Sequence, residues 1–232
     1  MDIKHKLYWL LQAGVSVFCS EDPTNYTPKS AEAPAKEDIV PATQRAQAYA
    51  VQAKNLKALN KEKEAFNLSS LKKTATHTLV GTGVQKPELM CIIEMPDSEA
   101  DKAGTSFSGG QGDLLKKMLK AIHLDLEQNA YATYLSPWRT PGNRPLTQAE
   151  QALFLPFLEQ EIQFVQPKKI LIFGIGVAHA LLQQDSLSKA RGSWHTMNNV
   201  PTRVTLALNA IKTTPQRQQA WIDLQEVEKK KI

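Results

Sequence analysis

Apolar residues in this chain gather into short unbroken runs separated by longer stretches with a helical period. The clearest run is Leu89-Met90-Cys91-Ile92-Ile93, whose length and content suit a strand buried on both faces. Runs of this kind place strands at Leu89–Glu94, Ala130–Leu135, Lys169–Phe173 and Arg203–Leu208. Amphipathic stretches lie between them. They include Asp113 to Leu119 and a helix opened by a capping box of Thr147 and Glu150. Ala42 to Phe66 has no Gly or Pro and reads as one helix, with Lys54, Lys57, Lys61 and Lys63 as its solvated face. A final helix begins near Pro215 and ends in Glu228-Lys229-Lys230-Lys231. Such alternation predicts an α/β fold over residues 42–232, a three-layer α/β/α sandwich around a mostly parallel four-stranded central sheet.

Ahead of that domain, residues 1–20 read as an amphipathic helix. Lys4 and Lys6 precede the apolar stretch Leu7 to Cys19, Gln12 interrupts it, and no convincing small-residue cleavage site follows. Residues 21–41 carry Pro23, Pro28, Pro34 and Pro41 among Ser, Thr, Lys and Glu, which predicts a linker. No membrane span is expected. A length of 232 residues suits one α/β domain with this extension. The net charge of +5 favours a polyanionic partner only weakly. Cys19 and Cys91 are far apart, which suits a reducing cytoplasm and excludes both a disulfide framework and an all-cysteine metal site. His5, His77, His123, His179 and His195 share no metal-ligand spacing.

Two stretches carry candidate chemistry. The first strand hands over to Glu94-Met95-Pro96-Asp97, and ligands of open α/β sheets bind at the carboxyl ends of strands. An acid there, followed by Phe107 among Gly104, Gly109, Gly110 and Gly112, forms either a floor and wall for a flat ring or a solvated turn with a core aromatic. In the second stretch, Pro141-Gly142-Asn143 makes a tight turn flanked by Arg139 and Arg144. Guanidinium groups suit phosphate, although surface arginines on a structural loop would look the same. Gly174-Ile175-Gly176 imitates a dinucleotide fingerprint, but His179 stands at the third glycine and no ribose-binding acid follows. These glycines read as letting a helix start close to the sheet.

Together the two stretches resemble one family. Gly104 to Leu115 (Gly-x-x-Phe-x-Gly-x-x-Gly-x-Leu-Leu) and Trp138 to Pro145 (Trp-Arg-x-Pro-Gly-Asn-Arg-Pro) are similar to the family-four uracil-DNA glycosylases of the alphaproteobacterial type. The resemblance extends to Leu71–Thr76, Pro156–Leu158, Arg191–His195 and Ala220–Leu224, and even Leu7 to Pro23 is similar. It implies the glycosylase fold and a monomer that flips uracil out of DNA, single-stranded or uracil-containing, to reach its glycosidic bond. In this mapping Phe107 is the stacking ring with Gly109 beside it, and Glu94 and Pro96 keep two places of the family's Gly-Glu-Ala-Pro-Gly. Arg139, Asn143, Arg144 and Arg191 would face the DNA backbone or support its loop.

Departures from the family cluster where its chemistry lies. Ile93 and Asp97 replace the first and last glycines of the acidic motif, and Tyr134 replaces the base-reading Asn. Ala207 stands where the family has the His that stabilises the leaving base. The four cluster cysteines become Phe66, Ser69, Trp138 and Phe154, so no iron–sulfur cluster and no other cofactor is expected. Two readings follow. One is a uracil-DNA glycosylase-like repair protein with base excision weakened or lost, in which Tyr134 shapes or blocks the pocket. The other is a non-catalytic DNA- or partner-binding module that retains the fold.

Overall fold

The computed structural model describes residues 41–230. The expected N-terminal helix (1–20) and all of the expected linker (21–41) except Pro41 lie outside the described residues. Helices α1 (Ala42–Gln52), α2 (Leu56–Ala65) and α3 (Leu71–Thr74) lead into β1 (Thr82–Gly83) and β2 (Leu89–Ile93). Next come α4 (Ser98–Ala103), α5 (Gly109–Lys120), β3 (Ala130–Tyr134) and α6 (Gln148–Val165). The chain closes with β4 (Ile170–Phe173), α7 (Ile175–Leu182), α8 (Leu187–Arg191), β5 (His195–Met197), β6 (Val200–Thr205) and α9 (Thr214–Lys229). Among the described residues no helix is long and apolar enough to cross a membrane.

The sheet has the order β1-β3-β2-β4-β6-β5. Its four inner strands are parallel, while β1 and β5 pair antiparallel at the edges. The class is the expected α/β, with six strands rather than four. The two additional strands are two and three residues long and partly exposed, so they leave no apolar run to read.

Alternation along the inner strands divides the core into two layers. Met90 and Ile92 of β2 face one cluster with Phe66, Trp138, Phe154 and Val165, whereas Leu89, Cys91 and Ile93 face the other with Phe107, Leu115 and Leu224. Helices α1, α2, α6 and α7 supply the first cluster, and α4, α5 and α9 supply the second. The sheet is thereby covered on both faces, as parallel strands require.

Local chemistry sets the helix ends. Thr147 and Glu150 form the expected capping box at α6, and Thr213 with Gln216 forms another at α9. The stretch Ala42 to Phe66 is two helices rather than one. Ala53 turns extended, and Asn55 caps α2 by accepting from Ala58 N at 2.9 Å.

Lys63, expected on a solvated face, is buried against the fully buried Glu161 of α6 as an ion pair. Glu161 also accepts from the Tyr131 hydroxyl at 2.8 Å and from Thr133 Oγ1 at 3.0 Å, so its charge is fully partnered. Removing one member leaves an uncompensated buried charge. Lys63→Met is therefore expected to lower the unfolding free energy by about 3–5 kcal/mol, read from urea denaturation. Adding Glu161→Gln should recover most of that loss, since neither charge then remains.

Candidate functional site

The carboxyl ends of β2, β3, β4 and β6 carry the residues singled out in the sequence. Phe107 sits just before α5 with its backbone in the left-handed region (φ +55°), an uncommon state for an aromatic. Two features hold it there. Its N–H donates to the Tyr134 hydroxyl at 3.0 Å. Its carbonyl also lies so close to Gly112 of α5 that a Cβ there would fall 1.9 Å from the oxygen. Only glycine fits at that position.

Tyr134, the last residue of β3, lies flat on Phe107 with ring centroids 4.3 Å apart and planes 12° from parallel. Both rings are buried. Burial pushes the Tyr134 hydroxyl up from its ordinary range, the bond from Phe107 N–H pulls it down, and nearby Asp97 raises it. The space left beside this stack is about 10 Å³, lined by Ile93, Asp97, Phe107, Gln111 and Tyr134 among others. That is about the room one water needs.

Glu94 follows β2 and is half-buried. Its Oε1 accepts from Leu146 N at 3.0 Å, and Gly176 in the first turn of α7 approaches so closely that a Cβ there would lie 2.6 Å from the same oxygen. Burial raises the Glu94 carboxyl above its ordinary value, with the Leu146 N–H opposing it. The glycines resembling a dinucleotide fingerprint thus serve this site. Gly176 makes room for the Glu94 carboxylate, and Gly174 (φ +91°) lies against Ala207, whose methyl group would be 3.0 Å from a Cβ. Sequence reasoning assigned Gly176 only to helix–sheet packing; its place after an inner strand was the available signal.

A second cavity, about 100 Å³, opens beside the stack. It shares Ile93, Met95, Asp97, Gln111 and Leu208 with the inner space and adds Glu94, Pro96, Asn143, Ala207 and Asn209. Ala207 brings only a methyl group, so no side-chain donor stands at that position. Gly109 (φ +73°) begins α5 against Glu99, whose carboxylate accepts from Gly110 N at 2.6 Å. Gly109 lines neither cavity. A cavity of about 450 Å³ lies elsewhere, between Thr82, Lys116, Lys120 and Asp125.

The arginines divide into different roles. Arg139 lies beside the buried Asp101, with Nε 3.5 Å from its carboxylate, and reaches Asn143 Oδ1 at 3.4 Å. Asp101 also accepts from Thr76 N and His77 N, so it ties the Arg139 loop to the segment after α3. Arg144 makes two bonds to Glu150, at 2.8 and 2.7 Å. Arg191 is held by Asp223 and Gln219 of α9 and lines neither cavity.

At the positions of the family's cluster cysteines, Phe66 and Trp138 stack at 6.4 Å and Trp138 meets Phe154 edge-on at 5.6 Å. Ser69 is buried nearby in sequence and accepts from Leu71 N at 3.2 Å. A four-cysteine cluster needs four thiolates, and these side chains supply none.

A family model described as the uracil DNA glycosylase superfamily matches residues 80–225. A type-4 uracil-DNA glycosylase of Sulfurisphaera tokodaii is 35% identical over 100 residues, covering 43% of this chain and 45% of that protein. That of Saccharolobus solfataricus is 28% identical over 62% of this chain and 69% of its own length. That of Archaeoglobus fulgidus is 30% identical over 53% and 63% respectively. The chain thus spans about half to two thirds of the curated relatives it matches.

Two expected outcomes test this geometry. Tyr134→Phe keeps the stack but strips Phe107 N–H of its buried acceptor, and should cost about 1–3 kcal/mol in denaturant unfolding. For Glu150, the bonds from Arg144 lead the causes that lower its carboxyl from 4.5 to about 2. A depressed carboxylate stabilises the fold above its unfolded pKa and loses that contribution as the pH falls. The stability gap between wild type and Glu150→Gln should be full above pH 4.5 and close toward pH 2.

Proposed function

Because the chain belongs to the uracil-DNA glycosylase superfamily, we propose that it is a DNA-directed protein of the repair type whose hydrolysis of the uracil glycosidic bond is weakened or lost. The observation that carries this reading is the Tyr134 ring on Phe107 at 4.3 Å. A flipped base needs an aromatic face to stack on and an edge reader beside it. Here the face is covered by the chain's own ring, and the reader's place is taken by that ring.

Three further features support the reading. Ala207 offers no donor to a leaving base, and loss of one such donor typically costs about 10²–10³ in rate. Glu94 remains at the cavity, but burial disfavours the ionised form needed to orient water. The aromatic packing of Phe66, Trp138 and Phe154 supports a fold held together without a metal cluster. The named activity of the relatives, together with Asn143 in the cavity lining and the Arg139 guanidinium bonded to it, supports DNA as the partner. A monomer acting in the cytoplasm is the setting this reading implies.

The second reading, a non-catalytic DNA- or partner-binding module that retains the fold, is favoured by the same closed stack and differs in having no residual rate. Uracil release from a uracil-containing single strand separates the two. Wild type is expected to release base no faster than Glu94→Gln, and turnover that Glu94→Gln abolishes would overturn the closed-pocket reading. Tyr134→Asn should bind the uracil strand more tightly than wild type while remaining slow, because Ala207 is unchanged.

A further inference from the structure

From an apolar groove between α5 and α9 we infer that the protein docks a peptide segment presenting one aromatic side chain flanked by acids. The groove has a volume of about 190 Å³ and is walled by Leu114, Met118, Ile211, Ala220, Trp221 and Leu224. It shares no residue with the two cavities at the strand ends, so the inference does not rest on how they are read. Trp221 is 40% exposed and its neighbour Ile222 is 56% exposed, an apolar pair left to solvent on one helix. Exposed apolar surface rimmed by polar groups marks an interaction site. A dry apolar cavity of about 150 Å³ takes a benzene-sized ring, so this groove has room for one such ring. The Trp221 indole and the Met118 thioether favour an aromatic there over an aliphatic side chain.

Charge at the groove selects what flanks the ring. Its two charged lining residues are both cations, the exposed Lys117 of α5 and the exposed Arg217 of α9. No acid lines the groove, and among the described residues neither cation belongs to an ion pair. Arg217 stands in the first turn of α9, where the helix dipole favours negative charge and the helix itself supplies no acid. Carboxylates on either side of a seated ring would meet one cation each. A nucleobase between phosphates fits less well, because the donors and acceptors on its edge would be left unpaired against apolar walls. A second copy of the chain is also a poor occupant. Among the described residues the exposed large apolar side chains are Val51, Ile175, Trp221 and Ile222, and none has an exposed acid next to it in sequence.

The test is fluorescence anisotropy with the full chain and a labelled peptide carrying one Phe between two pairs of Asp in a Gly-Ser background. Two control peptides carry Ala in place of the Phe, or Ser in place of every Asp. The Asp-Phe peptide is expected to bind at least about tenfold more tightly than either control. Trp221→Ala should weaken it about tenfold, and Lys117→Ala with Arg217→Ala about three- to tenfold. Lys57→Ala with Lys61→Ala removes the same charge from exposed positions of α2, across the sheet, and should leave the affinity unchanged. Equal binding of the Phe and Ala peptides, or equal losses in the two double variants, would reduce the effect to net charge and overturn the inference. A thymidine single strand that displaces the peptide, and is itself weakened by Trp221→Ala, would give the groove to nucleic acid instead. A dimer in sedimentation velocity that Trp221→Ala dissolves would give it to a second copy. No binding of the Asp-Phe peptide would end the inference outright.

Discussion

A single hydrogen bond, from Phe107 N–H to the Tyr134 hydroxyl, fixes the geometry on which the rest of the site depends. It joins the turn before α5 to the end of β3. It holds Phe107 in a left-handed backbone conformation, and the same hydroxyl brings the Tyr134 ring flat onto Phe107. The parallel pairing of Ile93 with Tyr134 sets the ring beside the start of the Glu94 loop. One polar contact and one stack together decide how much space lies at the carboxyl ends of the strands. Offset stacking of buried aromatics is worth about 0.5–1.5 kcal/mol beyond area burial, so the closed arrangement is favoured as well as permitted.

Three buried acids carry the inward charge of this fold. Glu161 is paired with Lys63 and two hydroxyls, and Asp223 accepts from Arg191 at 2.8 Å and from Thr205 Oγ1 at 2.8 Å. Asp101 gathers two backbone N–H groups and lies beside Arg139. Each acid ties a helix to the sheet or to a loop, and each consumes a cation that sequence composition would count as free. Each such pair is neutral, so the net charge of +5 is unchanged and is carried by the groups outside these pairs. Of the four residues mapped onto DNA contacts, Arg139, Arg144 and Arg191 each lie beside an acid of the chain, and Asn143, which accepts from Arg139, lines the cavity.

The inner strands β2, β3 and β4 were legible because burial on both faces leaves nearly unbroken apolar runs. In contrast, β6 runs over Val200–Thr205 rather than the expected Arg203–Leu208, because its buried Thr202, Arg203 and Thr205 are polar and leave no apolar run. The edge strands were not, because two- and three-residue pairs owe their existence to a neighbour rather than to their own pattern. Lys63 looked solvated since its partner Glu161 lies 98 residues away, beyond any local period. The break at Ala53 had a local signal in Asn55, a capping residue placed before Leu56, which a reading of helix propensity across the segment passes over. Phe107, Tyr134 and Glu94 could be named from the motif, yet their contact could not. Stacking depends on strand register and a positive φ, and neither is written in the spacing. Gly176 was visible for the same reason it was misassigned: a glycine reports close approach without saying what approaches.

The departures from the family are coherent when taken as chemistry rather than as losses. Hydrolysis at a glycosidic carbon needs an ionised acid to hold water, a donor for the departing base, and a surface to hold that base. Burial makes Glu94 harder to ionise, Ala207 withdraws the donor, and Tyr134 occupies the surface. Any one change alone would leave an enzyme slowed yet recognisable. All three lie at one site, where the buried aromatic stack adjoins a cavity with a polar lining. Two carboxylates, three carboxamides and a glycine fitted to the Glu94 carboxylate stand around this cavity. The inner space beside the stack is about 10 Å³, while the cavity next to it keeps a polar lining of about 100 Å³.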